Sequence, residues 1–371
     1  MHFLLNRPYI LLILANVIIL VFIEVVIRLL AYYGHIQIKH YPASTAQILG
    51  DINPHFGVWH YSNKNVEHEG ACYKINIATN SYGARDQERT LKANNKRVVV
   101  LGDSFVEGFG VDTDKRLTEI AEEKTQIDFL NFGTSGDFSS TQEYLLYREF
   151  AAKFDHNAVA IFFLPNNDFK DNNPKYFDAN RYRPYLKEND TGDFEIYYTV
   201  KFEERVMPKN MSTWRSIRRT LYNNIYLVNL LRQIGDLIES SKIKSNIRGS
   251  FLELTESSYD EFSEDDLKKL LWGYDKIIKT ANSKPVSIFV IPRELDLQLA
   301  QNNSQQQKLI SELNNFAKKY ENVSVIDLTP FFIKKIKESK YDLQDIFLPC
   351  DGHWSELGHS IAAEALMVNY N

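Results

Sequence analysis

Five short runs rich in Val, Ile and Phe constrain the fold of this chain more than any other feature: Arg97 to Leu101, Ile127 to Phe132, Ala158 to Leu164, Val286 to Ile291 and Val323 to Leu328. Each is too short for a typical helix and nearly continuous in apolar residues, the pattern of a strand covered on both faces. Helical periods with N-terminal caps lie between them. Asp112-Thr113-Asp114 opens one through Lys124, Ser139-Ser140-Thr141 one through Lys153, and Ser304 one through Tyr320. Strand alternating with helix, joined by right-handed crossovers, predicts an α/β fold: a three-layer α/β/α sandwich around a parallel sheet of about five strands.

Composition narrows the partners. A net charge of −5 over 371 residues, with both signs interspersed, offers no basic field for nucleic acid. The two cysteines, Cys72 and Cys350, exclude a disulfide scaffold and a zinc module of CxxC spacing. His40, His55, His60 and His68 match no compact ligand spacing and are read as packed or solvated side chains.

The amino terminus differs from the rest. No side chain from Pro8 to Ile23 is charged, and after Glu24 the apolar character resumes through Tyr33, about the length that crosses a bilayer. Ala31-Tyr32-Tyr33 offers no small-x-small cleavage site, so an uncleaved single-pass anchor is preferred to a signal peptide. Glu24 and Arg28 share one helix face and can pair near an interface, with Tyr32 and Tyr33 as an aromatic belt. Arg7 on one side against Arg28 and Lys39 on the other leaves the charge rule nearly balanced. A cytoplasmic amino terminus is favoured, with the body of the chain outside the inner membrane, where Cys72 and Cys350 can form a disulfide. The organisation expected is an anchor over 1–33, an extended lead-in over 34–95, and the main domain over 96–371. An aromatic insertion at about 171–260 interrupts that domain. In it Trp214, Ile217, Leu221, Ile225, Val228 and Leu231 recur at helical spacing, predicting a long amphipathic helix packed on the body.

Four stretches lie just beyond predicted strands or near the carboxyl terminus, and they carry the residues suited to acyl chemistry. The first strand stops at Gly102-Asp103-Ser104, placing a serine where open α/β sheets bind ligands. The second ends in Gly133-Thr134-Ser135-Gly136, whose glycines let a backbone N–H face a ligand. The third ends in Pro165-Asn166-Asn167-Asp168, where Asn167 can donate to a developing oxyanion. Near the end comes Cys350-Asp351-Gly352-His353-Trp354. In an extended loop Asp351 and His353 project to one side, so Asp351 can orient the imidazole that takes the proton of Ser104. A metal held by Asp351, His353 and His359 is not expected, since His359 falls within a helical run. The second glycine of G-x-S-x-G is missing, no P-loop lysine follows, and Gly108-Phe109-Gly110 does not continue as a dinucleotide fingerprint.

These four stretches, in this order, resemble the blocks of the SGNH (GDSL-type) hydrolase superfamily, over roughly Lys96 to Asp171 and Lys284 to Tyr370. The resemblance implies a flavodoxin-like sheet, with Ser104 as nucleophile and Asp351 and His353 as acid and base. It also implies an oxyanion hole of the Ser104 and Gly136 N–H groups with the Asn167 amide; Gly133 competes with Gly136 for that place, but Gly136 better fits the family's spacing from the strand. Pro165 stands where the family commonly has glycine, and the Asp-His spacing is one residue shorter than is frequent, as in membrane-anchored bacterial relatives. The function this implies is a membrane-anchored serine esterase that removes an acyl group, chiefly acetyl, from a cell-envelope carbohydrate, without a cofactor or metal. Two alternatives stand beside it. One is an O-acyltransferase using the same triad, to which a membrane acyl-transfer partner would belong. The other is a non-catalytic carbohydrate-binding or assembly protein.

Overall fold

A computed structural model describes residues 8–33, 35–36, 48–69, 72–177, 181–205, 217, 221, 224–231, 234, 257, 259–301, 308–348 and 352–370. The chain divides into two compact units, Met1–Ala43 with Lys209–Phe251, and Ser44–Pro208 with Leu252–Asn371.

The first unit is built on helix α1 (Pro8–Tyr32). Its length and composition suffice to cross a membrane, and almost all of its apolar side chains are exposed. It is the one such helix among the described residues. In the same unit the chain is helical at 217, 221 and 224, leaves the helix at Ile225 and is helical again over 226–231. The single long helix expected through Ile225 is therefore broken there. Of the expected apolar face, Ile217, Leu221 and Leu231 are exposed and Ile225 and Val228 are half-buried, while Trp214 lies outside the described residues.

The second unit begins with two antiparallel hairpins, β1 (Leu49–Asn53) with β2 (Gly57–His60) and β3 (Asn65–Glu69) with β4 (Lys74–Ala78). β5 (Arg97–Leu101) leads through α2 (Ser104–Glu107) and α3 (Leu117–Lys124) to β6 (Asp128–Asn131). Helix α4 (Ser140–Glu149) precedes β7 (Ala158–Phe163) and α5 (Pro165–Asp171). After the hairpin β8 (Pro184–Glu188) and β9 (Phe194–Tyr198) come α6 (Glu264–Ala281), β10 (Val286–Val290), α7 (Glu294–Gln301) and α8 (Lys308–Ala317). β11 (Val323–Asp327), α9 (Thr329–Glu338) and α10 (Glu356–Tyr370) complete the unit.

The five strands expected from sequence pair in parallel in the order β11-β10-β7-β5-β6. Alternate side chains feed two cores, the reason these runs are apolar at every position. Val99, Leu101, Leu130 and Ile161 face α4 and α6, whereas Val98, Val100, Phe129 and Phe162 face α3 and α10. The expected α/β/α sandwich is thus observed. Helix α6, whose Ser263 caps Asp266, is an element the sequence reading passed over. The order is that of a doubly wound sheet whose direction reverses between β5 and β7, and such a reversal opens a crevice at the carboxyl ends of the strands.

Candidate active site

Ser104 stands on that reversal. The carboxylate of Asp103 accepts the Phe105 N–H at 2.9 Å and caps α2, so the chain turns sharply from β5 with Ser104 at its crest, half-buried. His353 arrives from the carboxyl-terminal loop, and its Nε2 lies 2.8 Å from the Ser104 Oγ. The imidazole packs against two rings, Phe105 at 5.0 Å and Phe109 at 4.4 Å between centroids, which restrict its rotation. Its loop is tied by the Leu348 N–H to the His353 carbonyl at 2.6 Å and the Ser355 N–H to Ile346 at 2.8 Å. Trp354, fully buried between Phe105 and Phe332, nails the loop to the core. A serine and a histidine 249 residues apart in sequence are thereby brought within hydrogen-bond distance. Asp351, the expected acid, lies outside the described residues.

The loops around Ser104 commit nearly every backbone donor. After β6, the Phe132 N–H goes to Val100, the Gly133 N–H to the Asn131 side chain at 3.0 Å, the Thr134 N–H to Gly102 and the Ser135 N–H to Glu107. Gly136 follows with φ +94, a conformation that disfavours a side chain, and its N–H has no acceptor among the described residues. The Ser104 N–H likewise has none. Of the two glycines, Gly133 serves packing: a Cβ there would collide with the backbone of Val106 and Glu107. Gly136 keeps a backbone donor that no acceptor among the described residues takes up. Asn166 is engaged elsewhere, its Oδ1 accepting from Arg293 at 2.7 Å. Asn167 presents its amide towards β5, one hydrogen of Nδ2 going to Asp103 at 2.9 Å. Asp103 thus holds both the turn that carries Ser104 and the amide of Asn167. Pro165, the departure from the family pattern, opens α5 at the position where a missing N–H is harmless.

Several residues that shape the site escaped the sequence reading. Glu107, fully buried, lies 3.2 Å from His60 of the lead-in and accepts the Ser135 N–H. Burial alone would raise its pKa, yet His60 and Arg85 hold it down to about 2. The buried Arg85 guanidinium donates to the carbonyls of Glu107, Gly108 and Val111. Arg181, from the insertion, donates to the Gly136 carbonyl at 2.6 Å and to Asp137 at 2.9 Å. Behind Asp103 lie three more buried carboxyls, Glu143, Asp168 and Asp171. Burial, then the proximity of Asp103 and Asp171, pushes the Glu143 pKa well above the usual range, and burial with Asp103 and Glu143 does the same for Asp168. A sequence signal for these residues was thin: a charged residue in a loop or short helix reads as solvated until its burial is known.

Among the described residues no cluster of His, Cys, Asp and Glu could hold a metal ion. His359 is buried in α10, where its Nδ1 accepts the Leu117 N–H at 3.3 Å, and burial beside Arg116 holds its pKa down to about 3. His60 and His68 are packed side chains, the latter against Tyr73 and Phe109. Cys72 is disulfide-bonded; Cys350, the other cysteine of the chain, lies outside the described residues.

No family model matches the sequence, and no curated protein is significantly similar to it. Among solved structures, the chain is similar to a member of the lipolytic protein G-D-S-L family from Veillonella parvula, at 13% identity and a TM-score of 0.38, over 74% of this chain and 98% of that one. It is also similar to a carbohydrate esterase family 2 enzyme of Corynascus thermopiles (12%, TM-score 0.37, 76% and 67% covered). A third is a family 3 carbohydrate esterase of Clostridium thermocellum (10%, TM-score 0.35, 73% and 92% covered). Likenesses at these scores lend no weight to a particular activity, which has to be read from the side chains.

Proposed function

We propose that the chain is a serine esterase of the SGNH type, anchored in a membrane by α1, that removes an acetyl or similar small acyl group from a carbohydrate outside the cytoplasm. The observation that carries the reading is the 2.8 Å approach of His353 Nε2 to Ser104 Oγ at the carboxyl edge of the sheet. In the mechanism, Ser104 attacks the ester carbonyl as His353 takes its proton. The N–H groups of Ser104 and Gly136 and the second hydrogen of the Asn167 amide stabilise the oxyanion. His353 then protonates the leaving alcohol, and water, activated by the same imidazole, releases the acid. The acid that orients the imidazole is assigned to Asp351 by the sequence pattern alone. The disulfide at Cys72 supports an oxidising compartment, and with it the side of the membrane assigned to the catalytic unit.

The test is the full chain in detergent with an aryl acetate, beside Ser104→Ala and His353→Ala. Each variant is expected to lose roughly 10³-fold or more in kcat. Ser104→Ala with wild-type turnover overturns the mechanism. Product analysis with an added oligosaccharide separates hydrolysis from transfer: free acetate supports the esterase, and an acetylated acceptor moves the assignment to the transferase.

A further inference from the structure

An ion pair on a helix that otherwise exposes apolar side chains is costly in a membrane unless it has a partner. Glu24 and Arg28 pair at 2.8 Å on α1, and both reach further, to the segment broken at Ile225. The Glu24 carboxylate accepts the N–H of Tyr226 at 3.0 Å with one oxygen and that of Leu227 at 2.9 Å with the other. Arg28 donates to the Asn224 carbonyl, and its guanidinium lies 4.5 Å over the Tyr226 ring. The arrangement follows the polarity of the break. The cation meets the carbonyl end of the helical piece that stops at Asn224, and the anion meets the N–H end of the piece that starts at Tyr226.

A 25-residue helix is about 37 Å long, and Glu24 lies about 24 Å from its start, so in a hydrocarbon core of about 30 Å it sits towards the far boundary rather than in water. At that depth an interrupted helix is tolerated only if its loose backbone groups find partners, and Glu24 and Arg28 provide them. On either side of the break Ile217, Leu221, Leu231 and Ile234 are 46%, 39%, 60% and 43% exposed, as are the side chains of α1 in the same unit.

We propose that the broken helix around Ile225 is a second membrane-embedded element, held against α1 by Glu24 and Arg28, and that lipid acyl chains cover its exposed apolar residues. The inference rests on the reading of α1 as a membrane anchor. It makes the insertion a piece of the anchor, so that the catalytic unit joins the membrane part through the insertion as well as through the amino-terminal helix.

Spin labels test this in the full chain reconstituted in phospholipid vesicles, without reductant. Single labels are placed at Leu221→Cys and Leu231→Cys, with Ile18→Cys on α1 and the exposed Lys187→Cys as references. The ratio of collisions with oxygen to collisions with a water-soluble nickel complex is expected to be several-fold higher at 18, 221 and 231 than at 187. The double variant Glu24→Ala/Arg28→Ala is expected to lower it at 221 and 231 and leave it unchanged at 18. Nickel-accessible labels at 221 and 231 with a lipid-exposed label at 18 overturn the proposal and leave the anchor standing. Labels at 221 and 231 shielded from both reagents point to a protein cover, a second copy among the candidates, and also overturn it. A nickel-accessible label at 18 removes the anchor reading and this proposal together.

Discussion

Two glutamates occupy comparable positions in the two units and teach different lessons. Glu24 and Glu107 each pair with a basic side chain, and each accepts backbone N–H groups from a segment distant in sequence: Tyr226 and Leu227 for Glu24, Ser135 for Glu107. Around Glu107 the protein closes completely, with His60, Arg85 and the β6 loop packed on it. Around Glu24 most neighbouring side chains of α1 are exposed, Ile23 and Val25 among them, and Ile27 is the buried exception. The same chemical device, a carboxylate accepting loose backbone N–H groups, therefore shapes the loop beside Ser104 in one unit and, on our reading, a membrane element in the other.

The comparison breaks most visibly at Glu107. Glu107→Ala leaves His60 and the Ser135 N–H buried without their acceptor, and is expected to cost about 3–5 kcal/mol in urea unfolding. Glu107→Gln, which retains an oxygen for Ser135, should recover part of the loss. An alanine variant as stable as wild type would mean that the pair carries no weight. Next comes the proposed oxyanion hole beside that loop. Asn167→Ala is expected to lower kcat by about 10²–10³-fold with KM little changed, and Asp103→Asn, which weakens the acceptor holding the Asn167 amide, by about tenfold. Equal losses in KM would place Asn167 in ground-state binding instead.

Acid sharpens the contrast. The pKa of Glu107 is depressed to about 2 in the fold, so its contribution is complete above the unfolded value of 4.5 and disappears as the pH falls through about 2. Wild type should therefore lose stability between pH 4.5 and 2 more steeply than Glu107→Gln in a thermal melt. Glu143 has the opposite sign. Its raised pKa contributes stability below the unfolded value of 4.5, lost as the pH rises through the folded value. Glu143→Gln should match wild type at pH 4 and exceed it at pH 9, by roughly 2–4 °C for each kcal/mol recovered. The smallest effect belongs to Glu24. Glu24→Gln should leave aryl acetate turnover in detergent within about twofold of wild type. A large loss would tie the anchor segment to catalysis.

Much of the site was legible in the sequence because its residues sit at the ends of strands, and strands announce themselves by composition. Five apolar runs located the crests, and Ser104, Gly136 and Asn167 follow from their order. The resemblance already favours Gly136 over Gly133 by spacing, and the structure adds the physical reason: a side chain at Gly133 would collide with the backbone of Val106 and Glu107. Asp351 and Cys350 lie outside the described residues, so their expected roles stand on the sequence pattern. Glu107, Arg85 and Arg181 were not legible, because a polar residue at the end of a short helix or in a loop has the same local pattern whether buried or solvated. The broken helix was misread for a related reason: spacing of 3.6 residues records a face, whereas the interruption at Ile225 is stabilised by partners some 200 positions away.

By itself, then, the sequence determined the parallel sheet, the apolar amino-terminal helix and the residues able to carry acyl chemistry, because periodicity and strand ends are local properties. Tertiary structure alone decided that His353 reaches Ser104, that Gly136 rather than Gly133 keeps its donor, and that Glu24 and Glu107 each hold a distant segment. Those outcomes depend on which buried polar groups meet across the fold, and burial is a property of the assembled chain.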